Sequence, residues 1–365
     1  MNVKNIIDTI EQLAPPSYQE SYDNAGLIVG DASAECTGVL ISLDCTEAVV
    51  AEAIEKGCNL IVAHHPIVFS GLKRFNSKNY VERTVMLAIK HDVAIYAAHT
   101  NVDNMLAQGV NSMICEKLGL TKTKILAPKT DTLLHLSFFV PYDASEEVRQ
   151  ALFNIGAGAI GQYSECSFNS IGMGTFKASA LAEPTIGTPG KRENLAETKV
   201  EILVPKHLQK LAIETLLKTH PYEEVAYYIT PVINENQEIG AGMFGLLESP
   251  MPVADFLNFV KETFDLKLIK HTNLCKNNIK TVAVCGGAGS FLLGKAKSVQ
   301  ADVFITSDFK YHEFFDAENK VIIADIGHYE SEFFTIQLFF EIISKKFPNF
   351  AVSKTESSTN PVFYF

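Results

Sequence analysis

Short apolar runs alternate with helical patterns over the first third of the chain. The strand-like runs are residues 38–44, 58–65 and 92–100. Between them, residues 46–57 and 80–91 carry apolar side chains at helical spacing, and Gly57 stands where a helix C-cap glycine belongs. The alternation predicts βαβ units, and because the strands are apolar on both faces, helices should cover both sides of the sheet.

A similar alternation returns near the C-terminus. The strand-like runs there are residues 280–287, 301–308 and 320–328, and a long helix is predicted to begin near Tyr329. Since the two ends of the chain share this pattern, we predict that residues 1–127 and 236–365 form one discontinuous α/β domain. Its sheet should be mainly parallel.

The central segment, residues 128–235, has a different pattern. It reads strand, helix, strand, strand, helix, strand, in two halves that resemble each other. This order predicts an inserted ferredoxin-like βαββαβ domain. Residues 183–197, between the two halves, are rich in Gly, Pro, Thr and charged residues, and we expect them to form a flexible surface loop.

Composition narrows the class of protein. The 42 acidic residues outnumber the 31 Lys and Arg residues, for a formal charge of −11, and no basic run is visible, so we expect no nucleic-acid partner. The opening sequence reads as an amphipathic helix rather than a signal peptide, and we expect no membrane span. The 7 cysteines form no C-x-x-C pair, which indicates a reducing cytoplasm.

The strongest chemical signal is a pair of adjacent histidines at a predicted strand end. His64 and His65 follow an apolar run directly, and Pro66 breaks the strand so that both rings can turn to one side. The next strand-like run leads to Asp103 in a loop at the same sheet edge. Ligands bind outside the carboxyl ends of parallel strands. We therefore predict that these three side chains converge.

The C-terminal half offers a matching pair. His328 stands at the end of a predicted strand, and Glu332 lies one helical turn further on the same face. With His64, His65 and Asp103, this gives three imidazoles and two carboxylates, a set suited to two divalent ions that share a bridging carboxylate or hydroxide. Zn, Fe, Mn, Co and Ni all accept such donors, and the residual positive charge favours an anionic substrate.

Other histidines and one glycine-rich turn carry weaker signals. Asp308 and His312 follow another apolar run, where they could orient ligands or transfer protons, or could simply belong to a capped helix. The turn Gly286–Ser290 could cradle a phosphate with its amides, although it lacks the lysine of a P-loop, and tight packing is the favoured interpretation. Four isolated histidines are interpreted as packing residues: His91, His135, His207 and His271.

Several blocks of this sequence resemble those of the Nif-three-like family, the dinuclear metal-centre proteins often labelled type-two homologs of GTP cyclohydrolase I. The blocks are Tyr22–Leu27, Ala63–Pro66, His99–Asp103 and Gly327–Glu332. Tyr22 departs from the Trp that the family often has there. The central segment, with His220–Glu224, resembles the PII-like or CutA-like insert of longer family members.

The resemblance implies a function as well as a fold. It implies that His64, His65, Asp103, His328 and Glu332 are metal ligands, and that the protein is a homo-hexamer whose metal sites face an internal cavity. The first hypothesis is a two-metal hydrolase of a nucleotide or other phosphate-bearing small molecule, acting through a metal-bound hydroxide, with Asp308 or His312 as proton donor. The alternative is a non-catalytic metal-binding regulator or metal chaperone.

Overall fold

The computed structural model describes residues Met1–Phe365, and the chain divides into two compact units. Unit 1 comprises Met1–Pro128 and Glu238–Phe365, and unit 2 comprises Lys129–Gln237. The fold is mixed α/β, with three sheets. No helix is both long enough and apolar enough to cross a membrane.

The strands are numbered in chain order. They are β1 (Gly26–Val29), β2 (Val39–Ser42), β3 (Leu60–Ala63), β4 (Ala94–Ala97), β5 (Thr121–Lys129), β6 (Leu133–Pro141), β7 (Phe168–Lys177), β8 (Arg192–Pro205), β9 (Tyr227–Val232), β10 (Asn236–Pro252), β11 (Lys270–His271), β12 (Asn278–Ala288), β13 (Val303–Ser307), β14 (Ile322–Asp325) and β15 (Val352–Lys354).

The helices are numbered in the same way. They are α1 (Val3–Leu13), α2 (Glu47–Glu55), α3 (Tyr80–Lys90), α4 (Thr100–Asp103), α5 (Val110–Lys117), α6 (Ser145–Asn154), α7 (Gln209–Thr219), α8 (Val253–Thr263), α9 (Leu293–Ser298), α10 (His328–Glu332) and α11 (Thr335–Lys346). Short 3-10 turns lie between several of these elements.

The first sheet of unit 1 has the strand order β1-β4-β3-β2-β15. Strands β2, β3, β4 and β15 are parallel, and β1 pairs antiparallel with β4 at the edge. Ser42, Ala63 and Ala97, the last residues of β2, β3 and β4, are in register. The loops that follow these three strands therefore begin side by side.

The second sheet of unit 1 has the order β11-β14-β13-β12-β10-β5. Its centre is parallel, β12 with β13 and β13 with β14, while β10 and β11 pair antiparallel on either side. The sequence predicted one mainly parallel sheet, whereas unit 1 contains two sheets with antiparallel flanks. The apolar pattern of the sequence could not reveal this, because the pattern of a strand such as β10 or β12 does not show in which direction the strand pairs.

The main core of unit 1 joins the two sheets. One buried apolar cluster includes Ile41 and Val62 from the first sheet and Val284 and Ile305 from the second. Helices α1, α5, α8 and α11 add side chains such as Phe339, which is fully buried. Burying a side chain of this size contributes about 1.5–3 kcal/mol. The two sheets are therefore fixed relative to each other by close packing.

The long helix predicted from Tyr329 is divided in two. Helix α10 ends at Glu332, and α11 begins at Thr335 and packs against α1. Between them, Phe334 packs against Phe264, with ring centroids 5.5 Å apart, while Phe333 is 45% exposed. The break allows α10 to lie at the end of β14 while α11 packs against the core. The continuous apolar pattern of the sequence does not reveal this break.

Unit 2 consists of a four-stranded antiparallel sheet, in the order β7-β8-β6-β9, with helices α6 and α7. Its chain order is the predicted βαββαβ order. Alternate residues of β6 and β8, such as Leu136 and Ile202, form a buried core with Val148 of α6 and Leu216 of α7. The predicted loop 183–197 is shorter than expected, because residues from Arg192 onward extend β8 and pair with β7.

One carboxylate holds the segment after β15 against α2. Glu52 accepts hydrogen bonds from the Thr355 hydroxyl at 2.6 Å and from two backbone amides of the same segment, and it pairs with Lys56 at 2.8 Å. Burial opposes ionisation of Glu52, but these hydrogen bonds lower the pKa of its carboxyl to about 2. The ionised carboxylate is therefore the form that the fold stabilises.

Glu52→Gln should destabilise the protein by about 1–2 kcal/mol at pH 7, because it removes a charged hydrogen-bond acceptor. A carboxyl with a lowered pKa contributes stability that is complete above its ordinary pKa, and the contribution disappears as the pH falls towards 2. Urea unfolding should therefore show a difference between the two proteins above pH 5 that shrinks as the pH is lowered. Glu47→Gln, on the exposed side of α2, should show little effect, and a pH-independent loss in Glu52→Gln would contradict this explanation.

Candidate metal centre

Strand ends from both sheets of unit 1 bring a set of titratable side chains together. His64 and His65 follow β3, and Asp103 ends the short helix that follows β4. His328 and Glu332 are the first and last residues of α10, which follows β14. All five side chains that the sequence singled out therefore lie in one cluster, although they come from distant parts of the chain.

Glu332 lies at the centre of this cluster. Its Oε2 is 2.9 Å from His65 Nε2 and 3.0 Å from His328 Nε2, while its Oε1 is 3.9 Å from His64 Nε2. His64 Nε2 is in turn 3.5 Å from Asp103 Oδ1. The two oxygens of one carboxylate thus face two different groups of donors. The groups that could hold a metal ion include His65 with His328 and Glu332, and His64 with Asp103 and Glu332.

His99 belongs to the cluster as well, although it was not predicted from the sequence as a metal-site residue. Its ring lies 5.2 Å from that of His64 and 5.3 Å from that of His65, and the three imidazoles form a further group that could hold a metal ion. His99 lies two residues after the end of β4. Its position at a strand end, the signal that identified His64, could have identified it.

Each imidazole in the cluster is held through its Nδ1 atom. His64 Nδ1 lies 2.8 Å from the backbone oxygen of Ala98. The other three face carboxylates: His65 faces Asp44 at 2.8 Å, His99 faces Asp23 at 2.8 Å and His328 faces Asp308 at 2.6 Å. An Nδ1–H group that donates to such an acceptor leaves the Nε2 lone pair free for a metal.

Three carboxylates that orient histidines are therefore part of the site. Asp44 follows β2 and Asp308 follows β13, so both come from strand ends of the two sheets. Asp23 also accepts hydrogen bonds from the amide and the hydroxyl of Thr100. The sequence indicated an orienting or a proton-transfer role for Asp308, and its contact with His328 is of the orienting kind. No sequence pattern indicated Asp44 or Asp23.

The electrostatics of the cluster reflect its burial. Burial opposes protonation of His65 and His328, but hydrogen bonds with carboxylates raise the pKa of His65 to about 9 and of His328 to about 11. Burial also opposes ionisation of Glu332, yet its hydrogen bonds with His328 and His65 and its proximity to His64 hold its pKa well below the usual value. Burial raises the pKa of Asp103. The electrostatics of the cluster therefore favour positive charge, whether protons or cations.

Two buried atoms in the cluster have no hydrogen-bond partner: His64 Nε2 and Asp103 Oδ1. A buried polar atom without a partner costs about 1–3 kcal/mol. Metal–ligand bonds of about 2.0–2.2 Å place neighbouring donor atoms about 3.0–3.5 Å apart, and several donor pairs here are 2.9–3.5 Å apart. The donor set and its spacing therefore fit divalent ions.

The glycine-rich turn packs against this cluster. The amide of Gly286 donates to Asn111 Oδ1, and the amide of Gly287 donates to Ser331 Oγ. Gly287 has a φ of 62°, and a Cβ at this position would collide with the Glu332 carboxylate. These contacts use the amides within the protein and agree with the tight-packing interpretation of the turn. They do not favour a phosphate-binding loop.

His312, predicted as a proton donor, is not part of the cluster. It is exposed, and its ring packs against Tyr311 and Phe315 with centroids 5.2 and 6.4 Å away.

Tyr22, the departure from the family pattern, is 62% exposed with its ring 6.4 Å from Phe69. Phe69 in turn lies 6.4 Å from the His99 ring.

A cavity of about 520 Å³ opens beside the cluster. His65, His99 and His328 line it, together with the aromatic residues Phe69 and Tyr364. Lys270 also lines the cavity, and its ammonium group pairs with Asp325 at 2.8 Å. A cavity of this size can enclose a small molecule.

The chain is similar to a known protein family over almost its whole length. The sequence profile described as Duf34/NIF3 (NGG1p interacting factor 3) matches residues 1–361. A Bacillus subtilis protein named GTP cyclohydrolase 1 type 2 homolog is 40% identical over 368 residues, which cover 99% of this chain and 98% of the relative. A Staphylococcus epidermidis protein of the same name is 31% identical over 369 residues, which cover 100% of this chain and 100% of the relative.

Solved structures agree with this result. The crystal structure of a Bacillus cereus protein related to NIF3 is similar over 100% of this chain and 99% of its own, with a TM-score of 0.87 and 35% identity. A Staphylococcus aureus protein is similar over the same shares, with a TM-score of 0.78 and 27% identity. The likeness therefore extends through both units.

Gly287→Ala should destabilise the protein by about 2–4 kcal/mol, because it combines a left-handed backbone with a collision at a carboxylate pinned by His65 and His328. Gly119→Ala is the matched control, since Gly119 has a φ of 64° but nothing within 4 Å of its Cβ position. The Gly119→Ala variant should lose only about 1–2 kcal/mol of its free energy of unfolding. The measurement is chemical unfolding of both variants. Equal losses would show that the contact with Glu332 does not constrain the turn.

Proposed function

Because this chain belongs to the Duf34/NIF3 family, we propose that it is a divalent-metal-dependent hydrolase acting on a nucleotide or another phosphate-bearing small molecule. The observation that carries the proposal is the position of Glu332. One carboxylate faces His65 and His328 with one oxygen and His64 with the other, so it is suited to bridge two ions.

The residues have distinct roles in this proposal. His64, Asp103 and Glu332 would hold one ion, and His65, His328 and Glu332 the other. Bound divalent ions would supply an activated water nucleophile near neutral pH and Lewis acidity toward a phosphoryl or ring oxygen. His99 lines the cavity and lies beside both groups of ligands. It could complete either one, so the two groups need not be equivalent.

Asp23, Asp44 and Asp308 are positioning residues in this scheme. Each accepts a hydrogen bond from the Nδ1 atom of a different imidazole, and removing such a partner commonly reduces metal affinity 10–100-fold, as an order of magnitude. Asp308 has a left-handed backbone, with a φ of 59°. Its carboxylate lies 2.6 Å from His328 Nδ1. We therefore favour Asp308 as an orienting group over a proton donor.

The cavity supports an anionic substrate. Lys270 at the wall is paired with Asp325, so the positive charge for such a substrate would come from the bound ions, which would add more than the ligand carboxylates remove. Phe69 and Tyr364 provide apolar surface at the same cavity. A molecule with a phosphate and a ring would use both features. GTP is a suitable first substrate because the relatives carry the name GTP cyclohydrolase 1 type 2 homolog.

The proposal also includes the fold type of unit 2 and the oligomeric state of the protein. The sheet order β7-β8-β6-β9 with two helices supports an inserted ferredoxin-like domain of the PII-like or CutA-like kind. The homo-hexamer implied by the sequence resemblance stays a prediction. Exposed aromatic residues of unit 1, such as Tyr311 and Phe315, are consistent with an interface, and the particle mass in solution would test it.

The protein loaded with divalent metal should contain close to two ions per chain. Glu332→Gln should lower this ratio below one, because it removes the charge that two groups of ligands share. Glu330→Gln, on the same helix but outside these groups, should retain the wild-type ratio. Elemental analysis after desalting measures the outcome. A wild-type ratio near zero, or one unchanged in Glu332→Gln, would contradict the assignment.

Metal-loaded protein incubated with GTP should release formate with saturable kinetics, since water added at C8 of the guanine ring leads to ring opening and loss of formate. The release should stop with a chelator and in the His64→Ala, His65→Ala double variant. His91→Ala is a histidine control at the C-terminal end of α3, outside the metal groups, and should be as active as wild type.

Formate release no greater than that of the double variant would exclude the GTP reaction. A panel of phosphate esters then tests the wider hydrolase proposal with the same variants. Two tightly bound ions without turnover of any substrate would favour the alternative, a metal-binding regulator or metal chaperone.

A further inference from the structure

The segment His220–Glu224 of unit 2, noted in the sequence for its resemblance to an insert motif, has no part in the metal centre. His220 is buried, and its Nε2–H donates to the backbone oxygen of Phe139 at 2.9 Å. Its Nδ1 accepts the amide N–H of Tyr222 at 3.1 Å. Both ring nitrogens are thus used to fix the backbone. The residues that follow His220 are held in a defined position.

This fixed segment forms one wall of a cavity of about 450 Å³ that lies entirely within unit 2. The floor is the sheet, with Phe139 and Phe176, and the opposite wall is the loop between β7 and β8, with Pro184 and Ile186. Most of the lining is therefore apolar. A cavity of this volume matches the size of a small-molecule site.

The loop wall is tied to the fixed segment by two hydrogen bonds. The Thr185 hydroxyl donates to the backbone oxygen of Pro221 at 2.8 Å, and the amide of Glu183 donates to the Glu223 carboxylate at 3.0 Å. The loop therefore closes over the sheet rather than extending into solvent. The cavity is built by these contacts, and it does not depend on the metal-binding residues.

One carboxylate is oriented inside the cavity. Glu197 Oε1 accepts a hydrogen bond from the Tyr222 hydroxyl at 2.9 Å. Its other oxygen lies over Gly174, where a Cβ would collide with it. A side chain at position 174 would therefore displace the carboxylate. The glycine leaves room for Glu197 to face the apolar space.

The charges around the cavity are unbalanced. Glu197, Glu223 and Glu224 line it, and Lys177 is the lysine among the lining residues. Lys199, the nearest lysine on the same strand as Glu197, pairs with Glu201 at 2.8 Å instead. An apolar cavity with an excess of carboxylates selects a ligand that has an apolar body and a positive charge.

We propose that this cavity of unit 2 binds a small organic cation, an amine carried on an aromatic or alkyl group. The ammonium group would pair with Glu197, which Tyr222 orients, and the apolar body would pack between Phe176 and Ile186. This site goes beyond the metal-dependent hydrolase, because every group it uses lies in unit 2.

The probe is 2-phenylethylamine, tested on the full chain by saturation-transfer NMR and calorimetry. Two analogues of similar shape separate charge from hydrophobicity: 2-phenylethanol is neutral, and 3-phenylpropionate is an anion. The amine should bind saturably, and both analogues should bind at least about tenfold more weakly. No saturable binding of the amine, or equal binding of the anion, would overturn the proposal.

Three variants locate the site. Glu197→Gln should weaken amine binding about tenfold and leave 2-phenylethanol unaffected, because it removes the charge and keeps the shape. Glu201→Gln, a control on the same strand outside the cavity, should bind as wild type. Ala178→Phe should abolish binding of both ligands by filling the cavity.

Circular dichroism and thermal unfolding establish that each variant is folded. If Ala178→Phe does not fold, the comparison of Glu197→Gln with Glu201→Gln still tests the site. Equal effects of these two substitutions on amine binding would refute it. Binding that is lost in Glu332→Gln but retained in Glu197→Gln would assign the amine to the metal centre and exclude unit 2. The metal content of each variant, measured in parallel, keeps failure of this proposal distinct from failure of the hydrolase proposal.

Discussion

The cluster in unit 1 depends on one kind of contact, the hydrogen bond at the Nδ1 atom of each imidazole. Ala98, Asp44, Asp23 and Asp308 each engage one ring. A ring held in this way can turn only about the axis of that bond, so its Nε2 atom points in a fixed direction. Four such rings beside Glu332 and Asp103 form a donor set suited to cations. The surrounding fold supplies the rigid positions for these acceptors.

The arrangement of strands explains how one chain brings so many polar groups together. Asp44, His64 and His99 follow three neighbouring parallel strands whose ends are in register. Asp308 and His328 follow two neighbouring parallel strands of the other sheet. The apolar cluster that joins the sheets holds the two edges in place. Burial of polar groups is costly, and the packing of unit 1 offsets that cost.

Sequence patterns predicted many of the elements and singled out five side chains that lie together in the structure, and for a physical reason. Buried parallel strands are continuous apolar runs, so a histidine at the end of a run stands out, as His64 and His328 do. Asp44 was missed because a lone carboxylate after a strand is common, and Asp23 was missed because it precedes β1 and so follows no strand. Only the distance of each carboxylate from an imidazole identifies it. The division into two sheets was also missed, since strand direction and pairing depend on contacts between distant residues. Similarly, the early start of β8 at Arg192 follows from its pairing with β7 rather than from its own composition.

The discontinuity of unit 1 has a consequence for biosynthesis. His65 and Glu332 are 267 positions apart, and the complete unit 2 is encoded between them. A ribosome therefore exposes the first histidines long before their carboxylate partner has been translated. During that interval unit 2, whose contacts are local to its own segment, can fold first. The nascent N-terminal half meanwhile carries imidazoles that lack the partners they have in the finished fold. The order of translation thus bears on how the cluster of unit 1 assembles.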